Sequence, residues 1–141
     1  MVVKLIDVPE ELIPQEWQVE YKLKLLTIDG KMPALDGLYT LRKKDKKDFG
    51  KLLNNIKLQL NSKEIIRNKQ KIERGNKKHQ KDVMEIKATR GHSRLFAFMS
   101  ETNELIICTH AYWKTSTNKK QQDGEFERAV NMRSIYMKFN K

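Results

Sequence analysis

The chain is short of the residues on which most familiar chemistries depend. It has one cysteine, Cys108, so it can form no internal disulfide. That cysteine lies in the apolar run Leu105-Ile106-Ile107-Cys108 and reads as a small buried hydrophobe rather than a nucleophile. The three histidines, His79, His92 and His110, have no second histidine or cysteine at metal-ligand spacing, so a structural zinc site is not expected. The six glycines, Gly30, Gly37, Gly50, Gly75, Gly91 and Gly124, are never spaced as in a phosphate-binding loop. No serine stands in a nucleophile elbow. Neither a metal nor a cofactor is therefore expected. No apolar run approaches the roughly 18 residues of a membrane span, and no basic start with a long apolar stretch marks a secretory leader. A cytoplasmic protein with no membrane partner is the expectation.

What the chain has in abundance is positive charge. Its 141 residues carry 29 Lys and Arg against 18 Asp and Glu, a net charge of +11. The length suits one domain over 1–141. The charge is unevenly placed, with net −3 over residues 1–41, +11 over 42–81 and +3 over 82–141. The runs Arg42-Lys43-Lys44, Lys46-Lys47 and Lys77-Lys78 dominate the middle. Such a segment can be a solvated face, a surface masked by an acidic partner or a surface for phosphates. Fifteen cations against four anions in residues 42–81 exceed what solubility requires, and so basic a chain has the footprint of a nucleic-acid binder.

Periodicity predicts the elements. Trp17, Val19, Tyr21, Leu23 and Leu25 alternate with polar residues as in a half-buried strand, closed by the turn signal Asp29-Gly30. A short strand fits Val2–Ile6. Phe49, Leu52, Leu53, Ile56 and Leu60 fall at helical spacing and predict a helix over roughly residues 43–60. Asn61 and Glu64 resemble a capping pair opening a second helix that would stop near Gly75. Strands are predicted at Val83–Ala88, Arg94–Met99 and Leu105–Trp113, with a hairpin loop at residues 100–103. A closing helix carries Phe126, Ala129, Met132 and Tyr136. The predicted class is α+β, in the order β-α-α-β-β-β-α, with an antiparallel-rich sheet packed by helices. Residues 1–41 hold the first strand, 42–81 the basic helices and 82–141 the remaining sheet and helix.

Between Glu85 and Lys120 the residues are suited to a phosphodiester. Glu85, Lys87, Arg90, His92 and Arg94 come first, and His110, Tyr112 and Lys114 follow at a spacing that puts them on one face of a strand. Lys119 and Lys120 lie in the loop beyond. Metal-free RNA cleavage needs a base for the 2′-hydroxyl, cations for the phosphorane and an acid for the leaving 5′-oxygen. His110, His92 and Tyr112 are candidates for proton transfer, and Arg94, Lys87 and Lys114 for charge stabilisation. Lys43, Lys44, Lys46, Lys47, Arg90, Lys119 and Lys120 are candidates for holding RNA. If a one-residue slip alters the hairpin register, His92 and Trp113 share the working face and His110 turns inward.

The ordered segments Glu85-Ile86-Lys87, Arg94-Leu95-Phe96-Ala97-Phe98, Thr109-His110-Ala111-Tyr112-Trp113-Lys114 and Glu125-Phe126-Glu127-Arg128-Ala129 are similar to those of the RelE superfamily of bacterial toxins, HigB-like branch. The resemblance covers about residues 80–140. It implies a toxin of a toxin–antitoxin pair that cleaves mRNA, free or on the ribosome, and is held inactive by a cognate antitoxin. It places Arg94 and Lys87 at cationic positions and His110 and Lys114 at the strand-end histidine and lysine. Lys119 or Lys120 corresponds to the loop lysines. The chain departs from the family in a longer loop over 115–124 and a longer, more basic N-terminal region. The rival expectations are a non-catalytic RNA- or DNA-binding module and a protein that docks an acidic partner.

Overall fold

The computed structural model describes residues 1–115 and 117–139. Strands β1 (Val3–Asp7), β2 (Lys22–Ile28), β3 (Ile72–Arg74), β4 (Val83–Lys87), β5 (Ser93–Met99) and β6 (Leu105–Trp113) form one sheet in the order β1-β2-β6-β5-β4-β3. The pairing is antiparallel except between β2 and β6, which run parallel. The chain reaches that parallel pairing through helices α1 (Pro33–Lys44) and α2 (Lys46–Leu60), as a crossover requires. Helix α3 (Lys119–Phe139) lies on the opposite face. The class is α+β, with a six-stranded mixed sheet and three helices.

Each face has its own core. Alternate residues of the central strands, among them Leu23, Leu25, Met84, Ile86, Leu95, Ala97, Ile106 and Cys108, pack with Leu38 and Leu41 of α1 and Phe49, Leu52 and Ile56 of α2. The other parity, Leu26, Val83, Phe96, Phe98 and Ile107, packs with Phe126, Ala129 and Met132 of α3. Cys108 is fully buried, as its apolar neighbours suggest, and that burial drives its thiol pKa far above the ordinary value. Gly37 allows α1 to lie directly on β6, because a Cβ there would stand 2.8 Å from the Ala111 Cβ and closer still to the Ala111 carbonyl oxygen.

The helices differ from the periodicity reading. The two before β3 are residues 33–44 and 46–60, not 43–60 and a helix over residues 61–75. Pro33 opens α1 at a position where its missing N–H costs nothing. Ala34, Leu38 and Leu41 supply its buried stripe. Asp45 divides the helices, its side chain accepting the Asp48 N–H at 3.0 Å as the N-cap of α2. Asn61 closes α2 instead of opening a new helix, its side-chain amide donating to the Lys57 carbonyl at 2.8 Å. The following segment is irregular because buried Gln59 captures its backbone, accepting from the Ile66 N–H at 2.9 Å and donating to the Glu64 carbonyl at 3.1 Å. Gly75 does not adopt a left-handed conformation; a Cβ there would collide with Gln80. The first long strand starts at Lys22 rather than Trp17, which sits in a single 3-10 turn, Gln15–Trp17. At the other end α3 begins at Lys119, so Lys119 and Lys120 form its first turn rather than a loop.

Candidate functional site

A β-bulge decides which side chains meet. Phe96 pairs with His110 while Ala97 pairs with Cys108, so Thr109 is the extra residue of β6. The bulge switches parity, and Ile107, His110 and Tyr112 all come to the α3 face. On that face His110 stacks on Phe96 at 4.9 Å and 3°. Neighbouring strands bring Lys87, Glu85 and Arg94 to the same side, and the first turns of α3 add Gln122 and Glu125.

The result is a connected polar cluster. Lys87 Nζ stands 2.5 Å from Glu73 of β3 and 4.0 Å from Glu85. Glu85 is fully buried. It accepts from Gln122 at 2.9 Å and from the Tyr112 hydroxyl at 3.3 Å, and Arg94 Nε lies 4.0 Å away. Gln122 also donates to Glu73 at 3.2 Å. Arg94 donates to the carbonyls of Gly91 and Ser93 at 2.9 and 3.0 Å. His110 Nε2 lies 3.4 Å from Glu125, and Nδ1 is 3.0 Å from the Thr109 hydroxyl. Pairing and hydrogen bonding of this kind are what let charges persist in so dry a place.

The titration directions follow from this packing. Burial holds the His110 pKa below its ordinary value, against the opposing pull of Glu125. The approach of His110 Nε2, with the charge of Arg128 adding to it, lowers the Glu125 pKa despite burial. Burial would raise the Glu73 pKa, but the hydrogen bond and charge of Lys87 outweigh it. Burial pushes the Tyr112 phenol far up, and the charges of Glu85 and Glu125 push it further. At neutral pH the cluster therefore holds ionised Glu73 and Glu125, a neutral imidazole and a protonated phenol.

His110 is 0 % exposed, whereas the Glu125 side chain is 20 % and Lys87 14 % exposed. Solvent thus reaches the cluster from the side of Glu125, Glu73 and Lys87. His92 is not part of it. Its ring stacks on Trp113 at 4.5 Å, on the face opposite Tyr112, and its Nδ1 is 2.8 Å from the Lys114 carbonyl. The predicted candidates thus divide. Lys87, Arg94, His110 and Tyr112 meet on the α3 face, while His92 and Lys114 lie at the tip of the β5–β6 pairing.

Of the remaining candidates, Arg90, Lys43, Lys44, Lys46 and Lys47 lie at that same end of the sheet, while Lys119 and Lys120 lie beside Asn76, Lys77 and Gln80 of the β3–β4 connection. Arg90 is exposed in the β4–β5 turn, with φ 58. Lys43, Lys44, Lys46 and Lys47 are exposed at the α1–α2 junction, and Lys119 and Lys120 at the start of α3. These pieces are tied together. Asp48 of α2 accepts the His92 and Ser93 N–H groups, both at 2.8 Å. Asn55 donates to the Lys87 carbonyl at 2.6 Å and to Thr89 at 2.9 Å. Lys44 Nζ lies over the Trp113 ring at 5.1 Å. By contrast Lys77 pairs with Asp123 at 3.0 Å, so part of the basic middle segment is already neutralised by α3.

Sequence reasoning did not find Glu73, Gln122, Glu125 or Asp48 as site-forming residues. Glu125 stood inside a quoted motif, and its place one helical turn after Gln122 was the available signal. Among the described residues no group of three or more His, Cys, Asp or Glu is placed to hold a metal ion, and no helix is long and apolar enough to cross a membrane. Comparison of the chain with family models, with curated proteins and with solved structures finds no match in any of the three.

Proposed function

We propose that this protein is an endoribonuclease that cuts mRNA by attack of the 2′-hydroxyl on the adjacent phosphorus, acting as the toxin of a RelE/HigB-like toxin–antitoxin pair in the cytoplasm. One observation carries the reading. Lys87, Arg94, Tyr112 and His110 come together with Glu85 and Glu125 at the one end of the sheet that exposed lysines and Arg90 surround. Glu125, ionised and reachable, takes the 2′-hydroxyl proton, and the neutral His110 behind it positions the carboxylate. Arg94 and Lys87 stabilise the phosphorane oxygens. Tyr112, still protonated at cellular pH, supplies the proton to the departing 5′-oxygen. The rim cations hold the RNA backbone, and the ribosome and an antitoxin are the expected partners.

The full burial of His110 and the Lys87–Glu73 pair favour a second reading, a non-catalytic RNA-binding protein using the rim alone. Incubating the pure protein with unstructured RNA, with and without ribosomes and EDTA, separates the two. The expected result is cleavage that persists in EDTA, yields 2′,3′-cyclic phosphate ends and stops at a 2′-deoxy substitution. Glu125→Gln, His110→Gln and Arg94→Ala should each slow cleavage by about 10²–10⁴-fold. No cutting under any condition would leave the binding reading, and cutting abolished by EDTA would overturn the mechanism.

A further inference from the structure

Outside the polar cluster, the sheet end carries a second feature built from aromatic rings. Trp113 is covered on one face by the His92 ring, at 4.5 Å and 15°. The Lys44 ammonium stands 5.1 Å over the same ring. His92 itself is exposed. Among the described residues no further ring stacks on it, so its outer face is the open end of a Trp113–His92 stack.

This stack is unusually well held for a surface feature. The His92 N–H donates to Asp48 at 2.8 Å, its ring Nδ1 faces the Lys114 carbonyl at 2.8 Å, and its own carbonyl accepts the Lys114 N–H at 2.8 Å. Three anchors on one residue remove most of the freedom that a mobile surface imidazole would lose on binding a ligand. Arg90 lies two residues from His92 in the same turn, the Lys114 backbone is hydrogen-bonded to it, and Lys44 lies over the Trp113 ring behind it. A flat, fixed aromatic face among cations is the arrangement that receives an unpaired nucleobase while the neighbouring phosphates are neutralised. Paired bases in a duplex hide that face of the base, and the surrounding positive charge favours a polyanion over a protein or lipid ligand.

We infer that His92, backed by Trp113, is a stacking platform for one unpaired base of single-stranded RNA. The platform makes His92 a binding residue rather than a proton-transfer group. It rests on the RNA reading above, but on binding alone, so it survives if no cleavage is found.

The test compares binding of a short 2′-O-methyl oligouridylate, which cannot be cut, with binding of an abasic oligomer of the same length and charge. Fluorescence anisotropy reads both affinities. The wild-type chain should bind the base-bearing strand about 5- to 150-fold more tightly, the worth of stacking a single base. His92→Phe should keep that ratio. His92→Leu, which still covers Trp113 but offers no ring, should bring it close to one while leaving binding of the abasic strand unchanged. Equal binding of both strands by the wild type would overturn the platform with RNA binding intact, as would an undiminished ratio in His92→Leu. Failure of the wild type to bind either strand would overturn the RNA reading and the platform together.

Discussion

Replacing Asp48 with alanine removes one of two links that fasten the β4–β5 turn to α2, the other being Asn55. The Asp48 carboxylate is 7 % exposed and accepts two backbone N–H groups, those of His92 and Ser93, at 2.8 Å each. Ser93 is fully buried, so its N–H has no water to replace the lost acceptor. A hydrogen bond to a charged group contributes about 1.5–3 kcal/mol, and a buried donor left unpaired costs about 1–3 kcal/mol. The Ser93 bond alone then accounts for about 2 kcal/mol, and the more accessible His92 bond for about 1, giving roughly 3 kcal/mol in total. Burial tends to raise the Asp48 pKa, but hydrogen bonds from Ser93 and His92 outweigh it and the pKa is lowered below 3.8. A depressed carboxylate pKa contributes stability that is present above the unfolded value and is lost as pH falls through the folded one. The destabilisation by Asp48→Ala should therefore be full at pH 7 and should shrink only below about pH 4. Urea unfolding followed by circular dichroism, at pH 7 and at descending pH, measures both. A loss under 1 kcal/mol at neutral pH, or a loss that does not change in acid, would refute the assignment of Asp48 as an anchor of this turn.

Three further outcomes are expected. Gly37→Ala should lower the melting temperature, because crowding against Ala111 at about 1–3 kcal/mol exceeds the gain in helix propensity of about 1 kcal/mol; a raised melting temperature would show that α1 does not lie so close to β6. His110 keeps its folded pKa below 6.5, so the unfolded chain takes up the proton first as pH falls and stability drops below about pH 6.5. His110→Phe should flatten that part of the pH profile in urea titrations, and an unchanged profile would contradict the buried neutral imidazole. RNA binding through roughly six to ten phosphate contacts should give a log–log salt slope of about −4 to −7 for a single strand, and a slope near zero would remove the rim from the binding surface.

Elements with a strong local pattern were legible in the sequence. The strand predicted at Leu105–Trp113 has those bounds in the structure, and the first strand is displaced by one residue. Both are rich in β-branched and apolar residues, which fit a sheet wherever the rest of the chain lies. The second helix was misplaced because its marks were shared. Asn61 serves equally at either end of a helix, and only the fully buried Gln59, whose partners lie five and seven residues on, shows that the backbone leaves the helical path there. Helix α1 was missed although Pro33 and the Ala34, Leu38, Leu41 spacing announced it, because the lysine run beyond it drew the start of the helix to residue 43. Alternation put His110 and Tyr112 on one face, and they are. It could not show that the bulge at Thr109 makes this the α3 face, nor that His92 and Trp113 would stack behind it. Glu73, Gln122 and Glu125 come from separate elements, which periodicity does not relate.

The site divides into a neutralised interior and an unneutralised border, and this gives binding and chemistry different dependences. Inside, Lys87 faces Glu73, Arg94 faces Glu85, and Arg128 faces Glu125, beside the neutral His110. These charges are matched at close range and partly shielded from salt, so they add little to the field that draws a polyanion. On the border, Lys43, Lys46, Lys47, Arg90, Lys119 and Lys120 are exposed. Under the proposed function, neutralising a border lysine should weaken RNA binding and shallow the salt slope while sparing the rate of bound substrate. Changing Arg94 or Glu125 should do the reverse. A phosphate reaches Lys87 only by displacing Glu73, and at Arg94 it meets the nearby charge of Glu85, 4.0 Å from Nε. The negative charge that develops on the phosphorane competes for those cations better than the ground-state phosphate does. Under the proposed function, Glu73 and Glu85 would reserve the positive charge of the interior for the transition state, the selective stabilisation that accelerates a reaction instead of merely tightening a complex.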